Sequence, residues 1–149
     1  MLYYLIYCFT VRKNMKVAIV GSRNSCEEDY QILEREIPLN TSEIISGGAK
    51  GIDGLAKNFA ASHDLKLVEI TPDYENAVSA KSAPLLRNKE IVDMADMIFA
   101  FWDGESKGTA FTIRYALSEQ KPLKVIILKK GEAKGNIPTG KLCEVIFIG

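Results

Sequence analysis

The sequence has few of the residues that disulfide frameworks, metal sites and histidine-dependent catalysis require. It contains three cysteines (Cys8, Cys26 and Cys143), an odd number at wide spacing, and one histidine, His63. This pattern indicates neither a disulfide framework nor a CxxC metal site, and it leaves no specific Ser/His/Asp or Cys/His relay. We therefore predict no metal and no cofactor, and a reducing, cytoplasmic location fits the cysteine usage best.

The chain also lacks an excess of charge of either sign. Lys and Arg together number 19, and so do Asp and Glu, in a chain of 149 residues. A neutral chain has no general electrostatic footprint for nucleic acid, although a local basic patch can exist within a neutral total. On this ground we do not expect nucleic acid to be a partner.

Long hydrophobic runs are absent as well. The most apolar stretch, MLYYLIYCFTV at positions 1–11, is shorter than the roughly 20 residues that cross a bilayer, and it lacks the features of a secretory signal. Residues 1–14 are read as an N-terminal extension, either an extra edge strand or an upstream start, with a membrane or partner anchor as a minor alternative. Residues 15–149 are predicted to form a single domain.

What the chain does have is a regular alternation of strand and helix patterns. Short apolar runs at Lys16–Val20, Glu43–Ser46, Lys66–Ile70, Met97–Trp102, Lys124–Leu128 and Cys143–Ile148 are typical of buried parallel strands. Helical patterns separate most of them, and MIFAFW is the most apolar strand, so it should lie centrally. The sequence predicts an α/β protein with a three-layer Rossmann-like fold, a mostly parallel central sheet flanked by helices.

Three turns that contain glycine follow predicted strands. Because the carboxyl ends of parallel strands lie at one edge, these turns can converge on one crevice, where glycine lets backbone N–H groups approach a ligand. A tight connection without function is the alternative for each turn taken singly. The predicted ligand-binding residues are Gly21, Ser22, Arg23, Gly47, Gly48, Ala49, Gly51, Asp53, Arg87, Asn88, Asp103, Ser106, Gly108 and Thr109.

The helices after these turns differ in their suitability for an anion. Ser25 and Glu28 are predicted to form a capping box, and the acids Glu27, Glu28 and Asp29 would repel an anion there. The helix after Gly108 carries no acid in its first turn. We therefore expect a phosphate at Ser106–Thr109, where free N–H donors and two hydroxyls meet.

Three charged residues each allow two interpretations. Asp53 either caps backbone N–H groups or contacts a ribose hydroxyl. Arg23 and Arg87 either bind phosphate or carboxylate through the guanidinium fork or lie solvated at the surface.

Together, VGSR, ISGGAKGID and RNKEIVDMADMIFAFWDGESKGT resemble the SLOG superfamily of Rossmann-like domains. Its members include the lonely-guy phosphoribohydrolases and the DNA-processing protein DprA/Smf, and the pattern is most similar to the YspA/YpsA-related branch. The resemblance extends from Lys16 to about Leu128. It implies a nucleotide or nucleotide-derived ligand and a homodimer.

The resemblance also implies functional hypotheses. Arg87 matches the arginine of the lonely-guy enzymes and Gly108-Thr109 matches their GT pair, but Thr112 stands at the position of their catalytic glutamate. The leading hypothesis is binding of a nucleotide-like ligand by a sensor or by a component of nucleotide signalling or phage conflict. The alternatives are a nucleotide N-glycosidase or phosphoribohydrolase, using Arg87 with Asp53 or Asp103, and DprA-like binding of single-stranded DNA.

Overall fold

The computed structural model describes residues 14–127 and 139–148, which build a six-stranded parallel sheet in the order β3-β2-β1-β4-β5-β6. The strands are β1 (Met15–Gly21), β2 (Thr41–Ser46), β3 (Lys66–Glu69), β4 (Met97–Trp102), β5 (Leu123–Ile127) and β6 (Cys143–Phe147). The helices are α1 (Glu27–Glu36), α2 (Ile52–Ser62), α3 (Ala83–Met94) and α4 (Lys107–Ser118). The predicted fold class is confirmed.

Helices cover both faces of the sheet, because its strands are apolar on both sides. On β1, Val17 and Ile19 pack with α1 and α2 through residues such as Leu33 and Phe59. The alternate residues Ala18 and Val20 pack against α3 and α4 on the other face, through residues such as Ile91 and Ile113. Successive side chains of a strand point to opposite faces, so the near-continuous apolar runs require the two helical layers.

The central position predicted for MIFAFW is confirmed. β4 pairs with β1 on one side and with β5 on the other, and its residues from Ile98 to Trp102 are buried. The chain moves outward from β1 through β2 to β3 and then crosses back to β4. Strand order therefore reverses between β1 and β4, and a crevice opens beyond the carboxyl ends of these strands.

The start of α1 differs from the prediction. The residue at the N-cap is Cys26, whose backbone N–H donates to the Asp29 Oδ2 atom at 2.8 Å, so the predicted pairing of Ser25 with Glu28 is wrong. Asp29 is 1% exposed. The cap is therefore shifted by one residue, because the shorter Asp29 side chain reaches back to the cap from the buried face of the helix.

The predicted N-terminal extension, residues 1–14, lies outside the described residues except for Asn14, whose N–H donates to the Asn40 carbonyl at 3.1 Å. Within residues 14–127 and 139–148, no helix has the length and apolar character needed to cross a membrane.

Candidate anion-binding site

A cavity of about 280 Å³ opens beyond the carboxyl ends of β1, β2 and β4, at the point where strand order reverses. The three glycine-bearing turns all contribute to its wall, together with residues of α3 from Pro84 to Ile91. The predicted residues that line it are Gly21, Ser22, Arg23, Gly47, Ala49, Asp53, Arg87, Asn88, Ser106, Gly108 and Thr109. The structure therefore gathers most of the predicted site residues at one rim.

Two predicted glycines shape the turns and do not line the cavity. Gly51 has φ of +77° and Gly48 has φ of +70°, a region that side chains rarely adopt. At Gly51 a Cβ atom would also overlap the backbone carbonyl of Arg23, whereas at Gly48 it would meet the Glu69 side chain in ordinary contact. Gly51 thus lets the second turn pass directly behind the first, which brings Arg23 to the rim.

Asp103 likewise supports the site from outside the cavity lining. Its Oδ1 atom accepts hydrogen bonds from the backbone N–H groups of Glu105 at 2.9 Å and Ser106 at 2.7 Å. Partial burial acts to raise the pKa of Asp103, but hydrogen bonds, chiefly from these N–H groups and also from Ser22, together outweigh it and hold the pKa below its ordinary value. The carboxylate is therefore charged and fixes the turn that leads into α4.

The N-terminus of α4 faces the cavity through Ser106, Gly108 and Thr109. Ser106 is the N-cap, and its hydroxyl oxygen accepts the Thr109 N–H at 3.4 Å. A hydroxyl that accepts in this way still has its own O–H to donate, so the phosphate expected at Ser106–Thr109 stays a prediction. The first-turn N–H groups of Lys107 and Gly108 have no acceptor within the helix. They leave an anion-binding end with partial positive charge.

The difference between the helix N-termini is as the sequence predicted. The first turn of α1 contains Glu27, Glu28 and Asp29, whereas the first turn of α4 contains no acid. Of these two helix ends, α4 is therefore the one that can accept a negatively charged group.

Three cationic residues line the cavity, and two of them, Arg23 in the first turn and Lys50 in the second, lie exposed at its rim. Both are exposed, and neither forms an ion pair with the residues that the structure describes. Of the two interpretations of Arg23, binding of a negatively charged group gains support from this position. The site is locally positive although the chain as a whole is neutral.

Sequence reasoning missed several lining residues. Lys50 carried a usable signal, because it is the cation inside the turn GGAKG, whereas the other residues are apolar or sit inside helices where no pattern marks them. These residues are Val20, Lys50, Pro84, Ile91 and Thr112.

Arg87 is held by the backbone. Its Nη1 atom donates to the Gly47 carbonyl at 2.8 Å and to the Ile70 carbonyl at 3.2 Å, and its Nε atom donates to Asn88 Oδ1 at 2.9 Å. The side chain therefore joins the ends of β2 and β3, and it is not the solvated surface arginine that the sequence left as an alternative. Arg87 still lines the cavity.

Asp53 caps the second turn. Its Oδ2 atom accepts the backbone N–H of Ala49 at 3.0 Å, and the residue is 9% exposed. Burial raises the pKa of Asp53, although the Ala49 N–H and the charge of Arg87 oppose this effect. Of the two interpretations given above, the structure shows capping.

A carboxylate is missing at the position that the lonely-guy resemblance makes catalytic. Thr112 is 1% exposed, and its hydroxyl donates to the Gly108 carbonyl at 3.0 Å within α4. Of the acids named as possible substitutes, Asp53 and Asp103 are both engaged by backbone N–H groups. The arrangement is suited to holding an anion by N–H donors and cations.

The solved structures that resemble this chain include the following three. DNA processing protein A from Helicobacter pylori, described for its mode of binding single-stranded DNA, has 26% sequence identity and a TM-score of 0.60, with 75% of this chain and 65% of that chain covered. DNA processing protein A from Streptococcus pneumoniae has 20% identity and a TM-score of 0.58, with 78% and 51% covered. The molybdenum cofactor binding protein from Rippkaea orientalis has 19% identity and a TM-score of 0.59, with 76% and 77% covered.

The last two likenesses, at low identity, show the fold alone. The chain spans about two thirds of the Helicobacter protein and about half of the Streptococcus protein. No curated protein matches the sequence significantly.

A family match extends over residues 2–82, more than half of the chain, and the family is DNA recombination-mediator protein A. It confirms the resemblance to the SLOG superfamily. It also shows that the expectation against nucleic acid is wrong, since the family is one of DNA recombination and the Helicobacter relative binds single-stranded DNA. The expectation rested on net charge, which is a sum over the chain and carries no information on where the charges lie. The chain belongs to the DNA recombination-mediator protein A family.

Proposed function

We propose that the protein binds single-stranded DNA, and that the anion-binding cavity holds a phosphate of the strand. The observation that carries this proposal is the meeting of the α4 N-terminus with Arg23 and Lys50 around one cavity. Helix N–H groups, lysine and arginine are the groups that commonly contact DNA phosphates.

The polar groups at the rim of the cavity support a contact with the phosphate backbone of the DNA strand. Ser22 is 4% exposed, and its Oγ atom accepts the Asp103 N–H at 3.3 Å, which ties the β1 turn to the β4 turn. The backbone N–H donors of these turns are therefore held in place by the protein's own hydrogen bonds before the ligand binds. Such preorganisation lowers the ordering cost of binding.

The experiment is a titration of a fluorescently labelled single-stranded 12-mer with the protein at low salt. Wild-type protein is expected to bind, and inorganic phosphate at high concentration is expected to weaken binding by occupying the cavity. The indole N–H of Trp102 donates to the Ser106 carbonyl at 3.1 Å, so its fluorescence gives a second readout at the α4 N-terminus. Absence of binding at low salt contradicts the proposal.

A second candidate, a nucleotide or nucleotide-derived small molecule, is favoured by the size of the cavity. Its 280 Å³ is close to the lower limit of about 300 Å³ for small-molecule sites. Nucleoside monophosphates are expected to raise the melting temperature if this candidate is correct. Release of free base from a monophosphate would identify the phosphoribohydrolase alternative. If no monophosphate shifts the melting temperature, both nucleotide binding and nucleotide hydrolysis are contradicted.

The predicted homodimer stays a prediction. Sedimentation velocity of the full chain with and without the 12-mer measures it directly.

A further inference from the structure

A second, smaller cavity of about 150 Å³ adjoins the anion-binding cavity, and Arg87 lines both. One wall comes from the loop at 71–82 and the other from α3, including Glu90, one turn after Arg87. Its volume is about half that of the anion-binding cavity and well below the roughly 300 Å³ of sites that enclose a small molecule. It suits one part of a ligand whose other part lies in the larger cavity.

Hydrogen bonds fix the wall between the two cavities. Arg87 Nη1 donates to the Gly47 carbonyl at 2.8 Å and to the Ile70 carbonyl at 3.2 Å. These bonds join the turn after β2 to the start of the 71–82 loop. A ligand that enters both cavities therefore crosses a guanidinium held at a fixed place.

The loop wall is also ordered by its own contacts. Asp73 Oδ1 accepts the backbone N–H groups of Glu75 and Asn76, both at 3.1 Å, and Asp73 Oδ2 accepts Asn76 Nδ2 at 2.8 Å. These bonds lower the pKa of Asp73, chiefly through the Asn76 side chain. The Asp73 carboxylate is therefore committed to the loop and is not the group that meets a ligand.

Glu90 is the carboxylate that remains for a ligand. It is exposed, and it has neither a hydrogen bond nor an ion pair with the described residues. The small cavity thus adds a carboxylate acceptor next to Arg87, while the large cavity presents donors and cations. A ligand that fits both has a phosphate at one end and a hydrogen-bond donor at the other.

We propose that the small cavity binds a nucleobase, and that Glu90 accepts a hydrogen bond from its exocyclic amino group. This inference rests on the proposed binding of single-stranded DNA. Cytosine presents an amino group at position 4, where thymine and uracil present a carbonyl oxygen. A carboxylate attracts the first group and repels the second, so the site favours cytosine over uracil.

The test compares labelled 12-mers of deoxycytidine and of deoxyuridine. Their bases differ at ring position 4 and the adjoining N3, and both bases lack the methyl group of thymine. At pH 7.5 wild-type protein is expected to bind the cytosine strand about tenfold more tightly, the size of a good base contact. The variant Glu90→Gln is expected to lose most of this ratio. The matched control is Glu75→Gln. It removes the same charge from the 71–82 loop, at a residue that does not line the small cavity.

The ratio of affinities separates this inference from the function on which it rests. Equal binding of both strands by wild type, or a ratio that survives in Glu90→Gln, overturns the base site and leaves DNA binding intact. Failure of both strands to bind at low salt overturns DNA binding itself. Competition by deoxycytidine and deoxyuridine monophosphates shows whether a free nucleotide is read in the same way, since the same ratio then appears without a strand.

Discussion

At the scale of single residues, the closeness of the first two turns depends on Gly51. Its φ is +77°, and a Cβ atom there would overlap the carbonyl of Arg23. We predict that Gly51→Ala lowers the free energy of unfolding by about 2–4 kcal/mol, from backbone strain and overpacking together. Urea denaturation measures this loss, and we expect weaker DNA binding because Arg23 must move.

The matched control for this substitution lies three residues later. Gly54 is inside α2, and a Cβ atom there would meet nothing within 4 Å. Gly54→Ala is expected to raise the free energy of unfolding by about 0.5–1 kcal/mol. If both variants change the free energy of unfolding equally, the close approach of Gly51 to Arg23 does not explain why glycine is needed at position 51.

At the scale of one element, a negative charge at the N-terminus of α4 should have opposite effects on stability and on DNA binding. An acid at Gly108 would interact favourably with the helix dipole, yet it would project into the cavity, where a Cβ atom meets nothing within 4 Å. We predict that Gly108→Asp is more stable than Gly108→Asn by about 0.3–1 kcal/mol. It should also bind the 12-mer about fivefold more weakly, from repulsion of about 1 kcal/mol.

The comparison with Gly108→Asn isolates the charge, because the two side chains have nearly the same shape. Thermal denaturation and the oligonucleotide titration should therefore move in opposite directions. A parallel loss of stability and of affinity would indicate damage to the helix rather than an anion site at its end.

The elements themselves were predictable, because parallel strands buried on both faces leave a strong pattern. KVAIV and MIFAFW have no polar residue at alternate positions, and this fixed them as interior strands of the sheet. Details set by single side chains were less accessible. The cap of α1 moved from Ser25 to Cys26 because Asp29 is buried and reaches back, which no local spacing signals.

The site was predictable where backbone geometry requires glycine and not where long side chains choose a partner. Arg87 has the same sequence context whether it binds a ligand or two backbone carbonyls, and the fold brings Gly47 and Ile70 within its reach. Lys50 was overlooked although it lies within the turn that organises the site. Gly47 and Ile70 are distant from Arg87 in sequence, so the local sequence pattern does not reveal them as its partners.

At the scale of the whole molecule, Lys124 of β5 links α1 to β6. Its Nζ atom contacts Glu36 Oε2 at 2.8 Å and Glu144 Oε2 at 3.2 Å. The hydrogen bond from Lys124 lowers the pKa of Glu36 below its ordinary value of 4.5. A carboxyl with a depressed pKa adds stability above its ordinary pKa, and this stability is lost as the pH falls through the folded value.

We therefore predict that Lys124→Met lowers the free energy of unfolding by about 1–2 kcal/mol at pH 7. The difference from wild type should shrink as the pH is lowered below 4.5. Lys121→Met is the control, because Lys121 donates to the backbone carbonyls of Asp93 and Ala95 and forms no ion pair with a carboxylate in the part of the chain that the structure describes. A loss at Lys124 that stays constant with pH would show that the ion pair is not its cause.

The salt dependence of DNA binding tests most directly whether the rim of this cavity holds phosphate. The slope of log K against log salt for a single strand is about −0.7 per phosphate neutralised. Replacing both Arg23 and Lys50 with Gln, which removes the two cations around one phosphate, should therefore make the slope shallower by about 0.7. The control replaces Lys57 and Arg114, exposed cations outside the cavity lining, with Gln. We predict a reduced slope and affinity for the first variant and wild-type values for the second; identical slopes in all three proteins would contradict a phosphate at this rim.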